Sequence, residues 1–179
     1  MRNAIGMIEL SSIARGIEVC DFMLKAAQVD LVRSSTVCPG KYMIIISGDT
    51  GDVRSSMNEG KKHSGEYLVD SLIIPNIHPQ LIPALTAVTQ IPKTGAIGVI
   101  EFYSVASAIN AADVIAKAAQ VTLIEVRIGF AIGGKGFVSF TGEVGAVRAA
   151  MSAAEKSSEL YVQSTVIPKP SPKLYETLL

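Results

Sequence analysis

The sequence predicts an α/β (α+β) fold of two tandem ferredoxin-like domains, each with the element order β-α-β-β-α-β. The prediction depends on an internal repeat, whose segments recur at an offset of 92 residues before the central loop and 94 residues after it. The repeated segments are A-I-G-x-I-E at 4–9 and 96–101, K-A-A-Q-V at 25–29 and 117–121, and the stretches 48–57 and 142–151. A period near ninety residues is too long for a solenoid and fits two complete small domains. We place these domains at residues 1–91 and 92–179, because Pro92 and Gly95 interrupt the chain there.

The elements of the first copy follow from local patterns. Residues 4–10 form a predicted strand, and Ser11 or Ser12 can then cap a helix, because a short hydroxyl accepts from an exposed backbone N–H. Apolar residues recur at helical spacing at Ile13, Ile17, Cys20, Leu24 and Ala27. Strands at 29–36 and 42–47 flank a loop, a second helix begins near Asp52, and a strand at 67–74 closes the copy.

The second copy repeats this order. Its predicted strands lie near residues 96–102, 121–129, 136–141 and 160–167, and its first helix carries the apolar residues Val105, Ile109, Ala112, Ala116 and Ala119. Each copy then enters a proline-rich tail, I-P-N-I-H-P-Q-L at 74–81 and I-P-K-P-S-P-K-L at 167–174. Proline stops sheet pairing, so these tails mark the ends of the two sheets.

Composition excludes several classes of function. The net charge is zero, so no electrostatic footprint for nucleic acid or an anionic membrane is present. No apolar run reaches the roughly 18 residues of a spanning helix, and the N-terminal residues resemble no targeting segment, so we expect a cytoplasmic protein. The 49% of apolar residues with only 6% of aromatic ones hints at extensive subunit contacts.

These motifs together resemble the bacterial microcompartment shell domain. The motifs are A-I-G-x-I-E, a helix with D-x-x-x-K-A, a G-K loop and the I-P tail. Two copies in one chain resemble the tandem-domain shell proteins. The motif T-x-C-P-G-K at 36–41 resembles the propanediol-utilisation type of these proteins. The resemblance implies a homotrimer whose six domains form a pseudohexamer. Such tiles would meet other shell proteins edge to edge in the microcompartment shell, so the expected function is structural and not enzymatic.

The resemblance also assigns roles to individual residues. It places the pore loops at Val37, Cys38, Pro39 and Gly40 in the first copy and at Ile132, Gly133 and Gly134 in the second. It places Lys25 and Lys117 at the edges where tiles meet. The family often has an arginine in the tail, where this chain has Asn76 and Lys169, and lysine lacks the planar bidentate hydrogen bonding of arginine.

Cys38 is the candidate metal ligand. Its counterpart in the second copy is Ile132, so the two copies differ where the pore loop lies. From the residues alone, a lone cysteine before Pro-Gly is more often an ordinary free thiol. The resemblance implies instead that three Cys38 thiolates of a trimer hold one 4Fe-4S cluster, which would pass electrons or clusters across the shell to encapsulated redox enzymes. Cys20 lies on the apolar helix face and is predicted to be a small core residue.

Other features leave weaker alternatives open. The glycine-rich loop 129–136 nearly matches a phosphate loop, but it ends in Gly and joins two strands. His63 and His78 have no acid, nucleophile or second histidine beside them in the sequence, so we predict no catalytic residues. The alternatives are a tile whose open pore passes metabolites without a cluster, and a free trimeric regulator that binds a small ligand.

Overall fold

The computed structural model describes residues 4–90, 92 and 95–177. The chain divides into two compact units, Met1–Ile77 (unit 1) and His78–Leu179 (unit 2). Each unit has a four-stranded antiparallel sheet with helices packed against it, which confirms the predicted fold class. None of the helices in the described part of the chain has the length and apolar character that crossing a membrane requires.

Unit 1 follows the predicted element order. Its elements are β1 (Ala4–Leu10), α1 (Ile13–Ala26), β2 (Asp30–Val37), β3 (Lys41–Gly48), α2 (Thr50–Ser64), a 3-10 turn (Gly65–Tyr67) and β4 (Leu68–Ile74). The strand order is β2-β3-β1-β4, and β1 is buried along its whole length. Ser12 is the cap of α1, since its side chain accepts from Arg15 N at 3.3 Å. The last strand begins one residue later than predicted, because Tyr67 belongs to the 3-10 turn.

Unit 2 repeats this sheet and adds two short helices. Its elements are α3 (Leu81–Leu85), β5 (Ala96–Phe102), α4 (Val105–Ala118), β6 (Val121–Ile128), β7 (Gly136–Gly142), α5 (Val144–Glu155), β8 (Tyr161–Ile167) and α6 (Pro172–Tyr175). The strand order is β6-β7-β5-β8. The sequence patterns predicted no helix in or after the proline-rich tails, yet α3 begins at the last residue of the first tail and α6 begins within the second.

From His78 onward, the tail after β4 belongs with unit 2. Helix α3 packs against β6 and α4, so the second unit begins at His78. The boundary predicted between residues 91 and 92 falls at Ile91, which is outside the described residues, and it stays a prediction.

The two copies place a glycine on opposite sides of the same helix–strand contact. In unit 1, Gly16 of α1 lies against Tyr42 of β3, and a Cβ on Gly16 would come within 2.5 Å of the Tyr42 side chain. In unit 2 the counterparts are Ala108 and Gly136, and a Cβ on Gly136 would come within 2.5 Å of the Ala108 Cβ. One member of each pair is therefore glycine, which keeps the first helix close to the sheet in both copies.

Candidate functional site

The loop that carries Cys38 is the turn between β2 and β3. Val37 is buried and ends β2, residues 38–40 form the turn, and Lys41 begins β3. Gly40 has φ +80°, a conformation that L side chains rarely adopt. Cys38 is a half-buried free thiol, and the Cys38–Pro39 peptide bond is cis. The thiol thus lies in a three-residue turn whose two ends, Val37 and Lys41, belong to the sheet.

An ion pair joins the first residue after this turn to the neighbouring strand β1. The antiparallel register pairs Leu10 with Tyr42, so the end of β1 lies beside the start of β3 and Glu9 meets Lys41. The Glu9 side chain is only 3% exposed and that of Lys41 23% exposed. The charges therefore face each other largely away from water, and they connect the Cys38 turn to the central strand.

The second copy contains the same pair in a more open setting. Lys135 Nζ lies 3.0 Å from Glu101 Oε2, and their side chains are 40% and 37% exposed. Neither pair was predicted from the sequence, although the glutamate and the lysine each recur in the repeat. The repeat shows that the glutamate and the lysine occur in both copies, and the strand register shows that they lie next to each other.

The second loop differs from the first in shape and in chemistry. Residues 129–135 connect β6 to β7, closed by hydrogen bonds from Gly129 N to Lys135 O and from Lys135 N to Ile132 O. Gly133 and Gly134 have φ +64° and +79°, so the backbone needs glycine there. Ile132 is half-buried and offers no metal ligand. Of the two loops predicted to line a pore, only the loop of unit 1 thus carries the candidate metal ligand.

A single chain does not assemble a metal site in its described residues. No group of three or more His, Cys, Asp and Glu side chains is placed there to hold an ion. Cys20 is buried, as predicted, and accepts from Ser34 Oγ at 3.6 Å. Cys38 therefore offers one soft, half-buried sulfur ligand per chain, which fits an iron–sulfur cluster only if several chains share it.

The two predicted edge lysines are held alike on their helices. Lys25 Nζ lies 2.5 Å from Asp21 Oδ2, and Lys117 Nζ lies 2.5 Å from Asp113 Oδ2. Their surroundings differ, because the Asp21 side chain is 59% exposed and the Asp113 side chain only 6%. Asp113 also accepts from the backbone N–H of His78 at 2.7 Å.

His63 has a partner that was not predicted from the sequence. Its Nε2 lies 2.8 Å from Glu59 Oε1, one helical turn earlier, and its ring stacks on Phe22 with centroids 3.7 Å apart. Hydrogen bonds from Lys62 and His63 lower the pKa of Glu59. The expectation that no acid lies beside His63 was wrong, because residues four apart on a helix are neighbours. The stacked ring joins α1 to α2, which is a structural role.

Comparisons with known proteins identify similar chains. The BMC domain matches residues 4–77 and 96–170. The chain is 41% identical over 182 residues to the bacterial microcompartment shell protein PduT of Citrobacter freundii, covering 100% of this chain and 99% of that protein. It is 36% identical to the carboxysome shell protein CsoS1A of Hydrogenovibrio crunogenus, over 46% of this chain and 90% of that one.

Solved structures give the same result. A microcompartments protein from Desulfitobacterium hafniense DCB superposes with a TM-score of 0.93 at 45% identity, covering 98% of this chain and 99% of that one. The fused permuted hexameric shell protein of the RMM microcompartment superposes with a TM-score of 0.63 at 25% identity, covering 86% and 82%.

Proposed function

This chain belongs to the BMC-domain family, and we propose that it forms a shell tile whose pore loop binds an iron–sulfur cluster. The shell role follows from the family and from full-length similarity to a microcompartment shell protein. The chain is a structural shell subunit of a bacterial microcompartment, a tandem-domain pseudohexameric tile and not an enzyme. The cluster, the homotrimer and the redox partners are the proposal.

The difference between the two loops carries the proposal. Six identical pore loops would suit a simple metabolite channel, but this chain has a thiol at Cys38 in one copy and Ile132 in the other. In a homotrimer, the three Cys38 thiols would be related by the threefold axis. Three thiolates can ligate three irons of a 4Fe-4S cluster and leave the fourth for another ligand.

The chain's own residues would hold the Cys38 turn for this purpose. Buried Val37 anchors the turn at one end, the Glu9–Lys41 pair anchors it at the other, and Gly40 permits its left-handed backbone. A ligand loop that is fixed before binding loses little conformational entropy on binding. When bound, a 4Fe-4S cluster supplies one-electron transfer, which suits exchange with encapsulated redox enzymes.

The tile edges complete the proposal. Lys25 and Lys117 would contact neighbouring shell proteins, each pre-oriented by an aspartate one helical turn before it. Asn76 and Lys169 stand where the family often has an arginine in the tails. We therefore expect Lys25 and Lys117 to contribute a larger share of the edge contact.

The experiment measures iron and acid-labile sulfide per chain, with visible and EPR spectra, on protein prepared without oxygen. The variants are Cys38→Ser and the matched control Cys20→Ala, since alanine is the natural residue at the counterpart position 112. We expect about four irons per three chains in wild type and in Cys20→Ala, and none in Cys38→Ser.

Two outcomes would contradict the proposal. Wild-type protein that stays iron-free after anaerobic reconstitution would return Cys38 to an ordinary thiol and favour an open metabolite pore. A chain that forms no sheets at high concentration, and that a small ligand stabilises, would instead be a free regulator.

A further inference from the structure

The loop between β6 and β7 contains two residues that the Cys38 turn lacks. Residues 38–40 form the turn of unit 1, whereas the backbone hydrogen bond that closes the loop of unit 2 encloses residues 130–134. The last three residues of this loop match the turn of unit 1 at the offset of 94. The two additional residues, here called the insert, are therefore Phe130 and Ala131.

The backbone of the insert is held in a defined shape. Phe130 N donates to Ile128 O at 2.9 Å, which fixes the first residue of the insert against the end of β6. Ala131 has φ +59°, a left-handed conformation that costs free energy for a residue with a Cβ. Such a conformation persists only where the surrounding structure fixes it. The Phe130 ring therefore extends from a fixed point of the loop.

The Phe130 ring is largely exposed in the single chain. Its exposed fraction is 66%, whereas Ile128, two residues earlier, is only 1% exposed. The loop thus leaves the core of unit 2 and carries a large apolar side chain into the open. This ring adds little to the packing of its own unit, although it follows a buried strand and precedes a strained residue. The combination indicates a role outside unit 2.

The symmetry of the tile brings this ring to the pore. The two units have equivalent strand orders, and a pseudohexameric tile arranges equivalent elements of its domains around one axis. The Cys38 turn and the loop of unit 2 connect equivalent strands. In the homotrimer of the proposed function, three short turns with a thiol would therefore alternate with three longer loops that carry Phe130.

We propose that the three Phe130 rings form an apolar cover over the iron–sulfur cluster that Cys38 ligates. The inference rests on the proposed function, since it needs both the trimer and the cluster. Cys38 is half-buried, so a group bound to its sulfur lies at the surface of the chain, where water reaches it. The insert lengthens the alternate loops and supplies the apolar ring that covers this surface.

An apolar cover changes both the potential and the lability of a cluster. The hydrophobic shell around a metal site controls solvent access, and with it the reduction potential. Reduction makes a cluster with three thiolate ligands more negative, and burial disfavours the form with more charge. The cover therefore lowers the reduction potential. It also slows the attack of oxygen and chelators, because both reach the cluster through water.

The test compares the full-length wild type with Phe130→Ala and Phe130→Leu after anaerobic reconstitution with iron and sulfide. Phe130→Leu keeps an apolar side chain at the same place. Val88→Ala is the matched control, because Val88 is a comparably exposed apolar residue of unit 2, at 69%, outside both loops. The measurements are iron per chain, the rate at which visible absorption fades in air and with a chelator, and the midpoint potential from a redox titration followed by EPR.

We expect all four proteins to bind the same amount of iron, because Phe130 supplies no ligand. The cluster of Phe130→Ala should be lost several-fold faster than that of wild type, in air and with the chelator. Its midpoint potential should shift to less negative values. Phe130→Leu should stay close to wild type, and Val88→Ala should match wild type in all three measurements.

The results that overturn the inference differ from the result that overturns the proposed function. Phe130→Ala with the iron content, loss rate and potential of wild type would show that the ring does not cover the cluster, and the cluster would stand. Equal acceleration in Val88→Ala would assign the effect to a general loss of stability. Iron missing from both Phe130 variants would make the ring necessary for assembly of the cluster. An iron-free wild type would instead remove the proposed function itself.

Discussion

Replacing Lys41 by methionine tests whether a buried ion pair holds the Cys38 turn. The substitution keeps an apolar stem of similar length but removes the ammonium, and it leaves the Glu9 carboxylate, 3% exposed, without its partner. Breaking a buried pair on one side costs roughly 3–5 kcal/mol, because the remaining charge is neither paired nor hydrated. Lys41 is itself 23% exposed, so we expect the lower end, about 3 kcal/mol.

Lys135→Met is the matched control in unit 2. Its partner Glu101 is 37% exposed and regains water when the lysine is removed. Exposed pairs contribute about 0–1 kcal/mol. The same chemical change should therefore cost about 2–3 kcal/mol more in unit 1 than in unit 2.

Hydrogen exchange by mass spectrometry suits this comparison, because two units in one chain need not unfold in a single step. In Lys41→Met, the amides of β1 and β3 should exchange about a hundredfold faster than in wild type, whereas β5 and β7 in Lys135→Met should change less than about tenfold. Glu9→Gln combined with Lys41→Met should recover much of the loss, since no charge is then left buried. Equal changes in the two units would refute the reasoning from burial.

Two further predictions concern helix packing and tile edges. Gly16→Ala should lower the free energy of unfolding by about 1–3 kcal/mol in urea denaturation, because the new Cβ would lie within 2.5 Å of Tyr42 side-chain atoms near the backbone. Lys25→Ala and Lys117→Ala should weaken ordered sheets seen by electron microscopy while the fold persists. Lys25→Ala removes an exposed ion pair on a helix surface, worth about 0.5 kcal/mol. Lys117→Ala should destabilise more, because it leaves the Asp113 carboxylate, 6% exposed, without its cationic partner.

Each of these two has its control. Gly51→Ala places a Cβ with nothing within 4 Å and should not destabilise. Equal destabilisation by Gly16→Ala and Gly51→Ala would contradict the steric reasoning. For the tile edges, the control is Lys61→Ala at an exposed position of α2. Ordered sheets that persist unchanged in both Lys25→Ala and Lys117→Ala would contradict the assignment of these lysines to the edges.

The candidate site was predicted in part. The sequence located the Cys38 turn and its divergence from Ile132, because both are read from residue identity and repeat alignment. It did not show that Glu9 meets Lys41, because that contact depends on the register between β1 and β3. It also missed the partner of His63, although helical spacing alone could have found Glu59.

Local patterns in the sequence were enough to predict the two-domain fold, since hydrophobic periodicity, caps and turns are local properties and they occur in both copies of the repeat. The burial of equivalent residues in the two copies, in contrast, depends on the tertiary contacts. Ile17 and Ile109 occupy the same place in the repeat, yet one is 56% exposed and the other fully buried. Asp21 and Asp113 differ in the same way, because a segment about 35 residues before Asp113 in the chain binds it. Burial is set by contacts between residues distant in sequence, and no local pattern records them.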